Sequence, residues 1–331
     1  MGFFTESVLV TFFSGAIAYG MMLLLGSTGE IITEKAGHLN LGIPGIMYVG
    51  GICGVTGSFI YERVVEEMNP AVAIIITLLS ALLGSLIMGL IYSFLTVTLR
   101  ANQNVTGLAL TTFGTGIANF LGGWLVTLGG GSETTVNIGK VSGFYTTPIA
   151  GYDKLGWFGK IFFGKGILPY VVILIALVAA YVLKHTRVGL NLRAVGENPA
   201  TADAAGINVN KYKYVATCIG SMIAGLGGFY YAIETVNWSH GGMGDIGWLA
   251  IALVIFATWR PDMGILGSLL FGALYRLPID FSAKLGGGYR EFYYMLPYVV
   301  TIIVLIITSI REKRESQPPA SLGLSYFREE R

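Results

Sequence analysis

KHTRVGLNLRAVGENPATADAAGINVNKYKY, Lys184 to Tyr214, is the one long polar stretch of this chain that membrane-length apolar runs enclose on both sides. Its basic residues, Lys184, Arg187, Arg193, Lys211 and Lys213, outnumber the acids Glu197 and Asp203. Basic loops between spans stay on the cytoplasmic side, so the stretch is expected inside. Its centre also spells a short helix. Asn198 can cap, Pro199 suits the first helical position, Ala200 to Ala205 is mostly good helix former, and Gly206 can end it. The capping box is incomplete, because Thr201 stands where Glu or Gln would reach back. A capped helix held between two spans is a shape that another protein can grip. A solvated linker whose charges only set topology explains the basic residues equally well.

Outward from this loop, composition decides the class. The chain has 331 residues, 53% of them hydrophobic and 12% charged, with a mean hydropathy of +0.67. That leaves too little polar side chain to cover a soluble globule, and an all-α polytopic membrane protein follows. A net charge of +2 spread over loops argues against nucleic acid as a partner. Cys53 and Cys218 lie in apolar runs, where a thiol behaves as a small hydrophobe, and no disulfide is implied.

In chain order, the first span is expected over Ser7 to Leu25, retained because no basic segment precedes it and no small-x-small site follows. A polar connection with Glu30, Glu34 and Lys35 leads to a second span, Leu39 to Tyr61. It opens on Asn40-Leu41-Gly42-Ile43-Pro44-Gly45, whose Gly and Pro predict irregular backbone that lines an interior or lies just outside the bilayer. Further spans are expected over Ala71 to Leu99, Val105 to Leu128, Ile167 to Leu183 and Tyr214 to about Ile233. The loop from Gly129 to Gly166 carries Trp157, Phe162 and Phe163 and predicts a segment lying along the membrane surface. Leu249 to Trp259 is half a membrane long, Arg260-Pro261-Asp262 turns it, and Gly264 to Leu277 returns. Phe292 to Ile310 is the last span. Nine spans result, with residues 1–310 as the membrane domain and 311–331 as a cytoplasmic polar tail. Short Gly- or Pro-broken spans in both halves point towards an inverted repeat.

No catalytic pattern is present. Gly139-Lys140 runs into Val141 and Gly164-Lys165 into Gly166, so neither is a phosphate loop. There is no nucleophile elbow and no His-Glu-x-x-His, and His38, His185 and His240 are too scattered to predict a metal site. The spans are expected to hold almost no charge, with Glu234 as the one candidate, whereas ion-driven carriers usually show a few ionisable groups. An ATP-driven importer subunit needs none.

Three blocks carry a family resemblance. Arg193-Ala194-Val195-Gly196-Glu197-Asn198-Pro199-Ala200, followed by Ala205-Gly206-Ile207, resembles the coupling loop of ABC-importer permeases for nucleosides, ribose-type sugars and branched-chain amino acids. Glu34 to Gly45 resembles that group's entry to its second span, with His38 where a small apolar residue is usual. Val254 to Gly272 resembles its late Gly-rich block, preceded by a looser Asp245-Ile246-Gly247-Trp248. The likeness is to the shorter permease of nucleoside importers, and similar members have nine or ten spans. It implies alternating access powered by a separate cytoplasmic ABC ATPase, which uses ATP and Mg, with no cofactor bound by this chain. It implies a longer homologous permease and an extracytoplasmic solute-binding lipoprotein as partners, in a lipid membrane. Arg193, Gly196, Glu197, Asn198, Pro199, Ala200, Asp203 and Gly206 are then the ATPase-coupling residues. Polar uncharged side chains are expected to meet a neutral cargo, with Asn40, Asn104, Thr112, Asn119 and Asn237 as candidates and Trp238 as a stacking surface. Helix packing is the commoner role for such residues.

Overall fold

The computed structural model describes residues 6–130, 135–285, 290–311 and 317–327. The order is α1 (Glu6–Lys35), α2 (Ile43–Val64), α3 (Pro70–Ser93, extended by a π-turn over Phe94–Thr98), α4 (Gln103–Leu128), β1 (Thr135–Asn137), α5 (Gly139–Thr146) and α6 (Gly156–Phe162). There follow α7 (Leu168–His185), α8 (Arg187–Glu197), α9 (Pro199–Ala204), α10 (Val209–Thr235), β2 (Asn237–Ser239), α11 (Ile246–Phe256), α12 (Pro261–Leu285) and α13 (Arg290–Arg311). Among the described residues six helices, namely α1, α2, α3 with its π-turn, α7, α10 and α12, are long and apolar enough to cross a membrane. With α11 and α13 as shorter apolar helices, this is a polytopic membrane fold.

Helices α1, α2 and α10 form the centre, and small residues let their backbones approach. A Cβ on Gly29 would stand 2.2 Å from the Gly220 carbonyl oxygen, and one on Gly228 would stand 1.8 Å from that of Met47. Helix α12 runs antiparallel along α1, with Gly20 against Ser268 and Gly272 against Ala16. The outward faces of α3, α7 and α13 are apolar, with Leu83, Ile87, Leu174, Ile302 and Ile306 all exposed. In lipid this is the favoured arrangement, since the main chain is satisfied inside each helix.

Several expectations change. The first span does not stop at Leu25: α1 continues to Lys35, and Glu30 and Glu34 are buried on it rather than lying in a polar connection. The helix persists because nothing breaks it before Gly37 (φ +80°) and because Gly26 and Gly29 prolong its packing face. The expectation of nearly uncharged spans is therefore wrong. Glu30 and Glu34 on α1, Lys213 on α10 and the Arg276–Asp280 ion pair on α12 all lie within membrane-length helices. Glu234, the residue singled out for this role, is paired with Lys165.

The polar stretch from Lys184 contains two helices rather than one, because α8 is continuous up to Glu197. The Gly-rich loop after α4 contributes β1, which pairs antiparallel with β2, Val136 opposite Trp238. Trp157 and Phe162 on the short α6 are exposed, as a surface-lying segment requires. Of the polar tail expected over 311–331, residues 312–316 and 328–331 lie outside the described residues.

Candidate functional site

Two regions concentrate unusual chemistry. The first is the end of the bundle where α8 and α9 lie. Thr186 caps α8 by accepting from the Gly189 amide (3.1 Å), and Asn198 caps α9 by accepting from the Thr201 amide (3.0 Å). Pro199 occupies the first helical position. Gly206, at φ +82°, lets the Ile207 amide return to the Ala202 carbonyl (3.0 Å), so the left-handed stop read from the sequence is present. Ala202 is buried against Val195 and Val209, while Arg193, Glu197, Asn198 and Gly206 are exposed and Pro199, Ala200 and Asp203 are half-buried. Gly196 is buried because α8 rests on the end of α1: a Cβ there would meet the Lys35 carbonyl oxygen at 2.3 Å. Thus α9 is a small capped projection on a rigid seat.

The second region lies where α2 and α11 begin. Asn40 is buried, and its side-chain oxygen accepts from the Gly42 amide (2.9 Å), holding the turn that enters α2. Thr111 of α4 donates to the Leu41 carbonyl (2.7 Å). Gly247, in the first turn of α11, lies so near Pro44 of α2 that a Cβ would fall 2.4 Å from the Pro44 Cα. Two helix N-termini, each preceded by Gly-containing turns, therefore meet inside the protein. Amide groups at such termini are short of acceptors and favour negative or dipolar groups. Beside them Trp238 is buried, edge-on to Tyr48 (6.1 Å) and Tyr231 (6.3 Å), and its indole N–H has no protein acceptor among the described residues. Asn119 accepts from the Gly241 amide (3.2 Å), and Tyr231 donates to the Gly242 carbonyl (2.5 Å). Aromatic faces with a few oriented polar groups are the usual lining of small-ligand sites.

Between these regions lies a buried polar cluster on the last turns of α1. Glu30 accepts from the Asn40 amide (2.9 Å), and its other oxygen has no partner among the described residues. Glu34 accepts from the Trp259 indole N–H. Thr258 and Trp259, both at positive φ (50° and 56°), form the turn between α11 and α12, an unfavourable conformation for non-glycine residues. The Glu34 bond helps hold it. His38 is fully buried with Nδ1 3.1 Å from the Thr217 hydroxyl. Burial, and then the Lys213 charge, hold its imidazole well below the ordinary histidine range.

The candidate pathway residues thus separate. Trp238, Asn119 and Asn237 gather near the α11 entry, although Asn237 is exposed and bonded to Asn137 (2.9 Å). Asn40 sits in the α2 turn. Asn104 and Thr112 lie on the exposed side of α4, with Thr112 bonded to its own helix at Leu108 (3.2 Å). Sequence reasoning missed Tyr48, Tyr231, Glu30, Glu34 and the interior role of Trp259. The available signal for Glu30 and Glu34 was the absence of any proline between Gly26 and Gly37.

Comparison with known proteins gives a consistent result. A family model described as "Branched-chain amino acid transport system / permease component" matches residues 12–305. The chain is 34% identical to a nucleoside ABC transporter permease protein, NupC, of Lactococcus lactis, over 88% of this chain and 90% of that protein. It is 29% identical to a guanosine ABC transporter permease protein, NupQ, of Bacillus subtilis, over 87% and 89%. It is 33% identical to a putative glucose ABC transporter permease protein, TsgC13, of Haloferax volcanii, over 93% and 94%.

Proposed function

This chain belongs to the branched-chain amino acid transport system permease component family, and from that premise we propose that it is the membrane-spanning subunit of an ATP-driven nucleoside importer. The observation that carries the cargo is likeness over about nine-tenths of both chains to permeases named for nucleosides and guanosine. The aromatic group of Trp238, Tyr48 and Tyr231 beside paired helix starts fits a planar, polar, uncharged base by stacking and edge contacts. A sugar is the second reading, favoured by the glucose-named relative.

The mechanism is alternating access. Cytoplasmic ABC ATPases close on ATP and push α9; α8 passes the displacement to the inner end of α1 through the Gly196–Lys35 contact, and α1 holds the α11–α12 turn through Glu34 and Trp259. The two broken helix starts then shift together. Arg193, Gly196, Glu197, Asn198, Pro199, Ala200, Asp203 and Gly206 form the ATPase-facing element. ATP and Mg act on the partner ATPase, a solute-binding lipoprotein delivers cargo, and a longer homologous permease completes the pore.

Nine crossings, made by α1, α2, α3, α4, α7, α10, α11, α12 and α13, form an inverted repeat in this reading. Its support is the cross-packing of the halves. Helix α1 packs on α11 and α12, while α10 packs on α2 and α3, and α1 and α10 run antiparallel with Gly29 against Gly220 and Leu25 against Gly227.

Vesicles holding this permease, its longer homologue, the ATPase and the lipoprotein should take up labelled guanosine or adenosine, unaffected by excess leucine. Full competition by ribose without competition by nucleosides would transfer the assignment to sugars. Equal uptake without the longer homologue would make the chain a homodimer.

Orientation is tested separately, because the excess of Arg187, Arg193 and Lys211 predicts the α8–α9 end inside and Ser7 outside. Ser7→Cys should react with an impermeant maleimide on intact cells and Asn210→Cys only after permeabilisation. The opposite pattern would invert the topology.

A further inference from the structure

The polar tail beyond α13 is bound to the α8–α9 element. The Ser321 amide and hydroxyl both donate to the Gly196 carbonyl, at 3.0 and 2.6 Å. Gly196 lies in the last turn of α8, where carbonyls have lost their helical donors, so the tail serves as a C-cap from a distant part of the chain. The Ala320 amide approaches the Glu197 carboxylate (3.4 Å), and the Tyr326 hydroxyl donates to Asp203 of α9 (2.9 Å).

Residues 318–327 of the tail reach two other connections at this end of the bundle. Ser321 fills the space left by Gly37 in the α1–α2 turn, where a Cβ would meet its hydroxyl at 2.7 Å. Gln103, at the start of α4, accepts from the Leu39 amide (2.8 Å) and donates to the Leu324 carbonyl (3.2 Å), tying the α1–α2 turn to the tail. The Arg100 guanidinium, in the α3–α4 connection, lies over the Phe327 ring at 4.9 Å. Pro319 and Ser321 are buried in this contact.

We propose that residues 318–327 are a working part of the coupling element, a brace that makes the α1–α2, α3–α4 and α8–α9 connections move as one body. The proposal rests on reading α9 as the segment that the ATPase pushes. A helix of six residues joined to its neighbours by single turns would otherwise yield locally, and hydrolysis would proceed without moving α3 and α4. The brace connects the push to both sides of the α2 entry, where the cargo site opens.

The test is uptake per ATP hydrolysed in the reconstituted importer. A chain ending at residue 317 should still assemble with the ATPase and hydrolyse ATP, but its uptake per ATP should fall about tenfold. Ser321→Ala combined with Tyr326→Phe removes two hydrogen bonds while keeping the packing, and should lower the ratio about threefold to tenfold. This milder pair decides the matter if the truncated chain does not accumulate. Ala202→Pro, measured alongside, separates the two levels. If it abolishes uptake while both tail variants keep the wild-type ratio, the brace is refuted and the coupling helix stands; if it leaves uptake intact, both readings fall.

Discussion

Ala202→Pro should all but abolish uptake while leaving the membrane bundle assembled. The Ala202 amide donates to the Asn198 carbonyl at 3.0 Å, a bond that closes the first turn of α9. Proline removes that donor and drives its ring into the same carbonyl, at a cost of about 3 kcal/mol. A six-residue helix has no spare bonds with which to absorb this, since short helices persist only through caps and tertiary contacts. At about tenfold per 1.4 kcal/mol, the intact helix would fall to roughly one part in a hundred. Gly206 lies outside the altered turn, so the loop keeps its left-handed stop and loses the first turn of α9. Cargo uptake and cargo-stimulated ATP hydrolysis should fall together, whereas cargo binding to the separate lipoprotein should not change. Wild-type uptake at normal expression would show that α9 is not the coupling element.

Gly228→Leu should have the opposite profile, with loss of the folded permease itself. Gly228 places α10 directly on the backbone of α2, and a Cβ would lie 1.8 Å from the Met47 carbonyl oxygen and 2.6 Å from its carbonyl carbon. These are main-chain atoms that cannot swing aside, so α2 and α10 must separate. The cost lies at or above the ~1–3 kcal/mol typical of an overfilled core, because the adjacent Gly225–Gly50 contact opens with it. Gly143→Ala is the control: it lies on the short α5, a Cβ there meets nothing within 4 Å, and the helix gains up to about 1 kcal/mol. Size-exclusion chromatography and thermal unfolding in detergent should show aggregation for the first and a wild-type or slightly raised transition for the second. A monodisperse Gly228→Leu protein with wild-type thermal stability would mean that these helices are not so tightly seated.

Much of the molecule is written locally. The apolar runs specify helices because lipid satisfies no backbone group, whatever packs around them. Asn198-Pro199 and Gly206 specify both ends of α9 because capping and left-handed backbone are decided within a few residues. The break between α11 and α12 is similarly legible in Arg260-Pro261, although the positive φ at Thr258 and Trp259 is not.

Other features depended on partners far away in sequence. Glu30 and Glu34 read as loop residues because a buried carboxylate is costly until a partner is known, and their partners, the Asn40 amide and the Trp259 indole, come from the next turn and from 225 positions along the chain. Trp238 and Tyr48 become one aromatic wall only when β2 folds against α2. The tail reads as a polar remnant until Ser321 is seen on Gly196, 125 positions away. By itself the sequence determined the class, the helices and the capped projection, since each depends on burial preference or on a few neighbouring dihedrals. Which helix starts meet, which carboxylates enter the interior and where the tail binds were decided only in the tertiary structure, because a buried polar group is stable only beside the distant group that satisfies it.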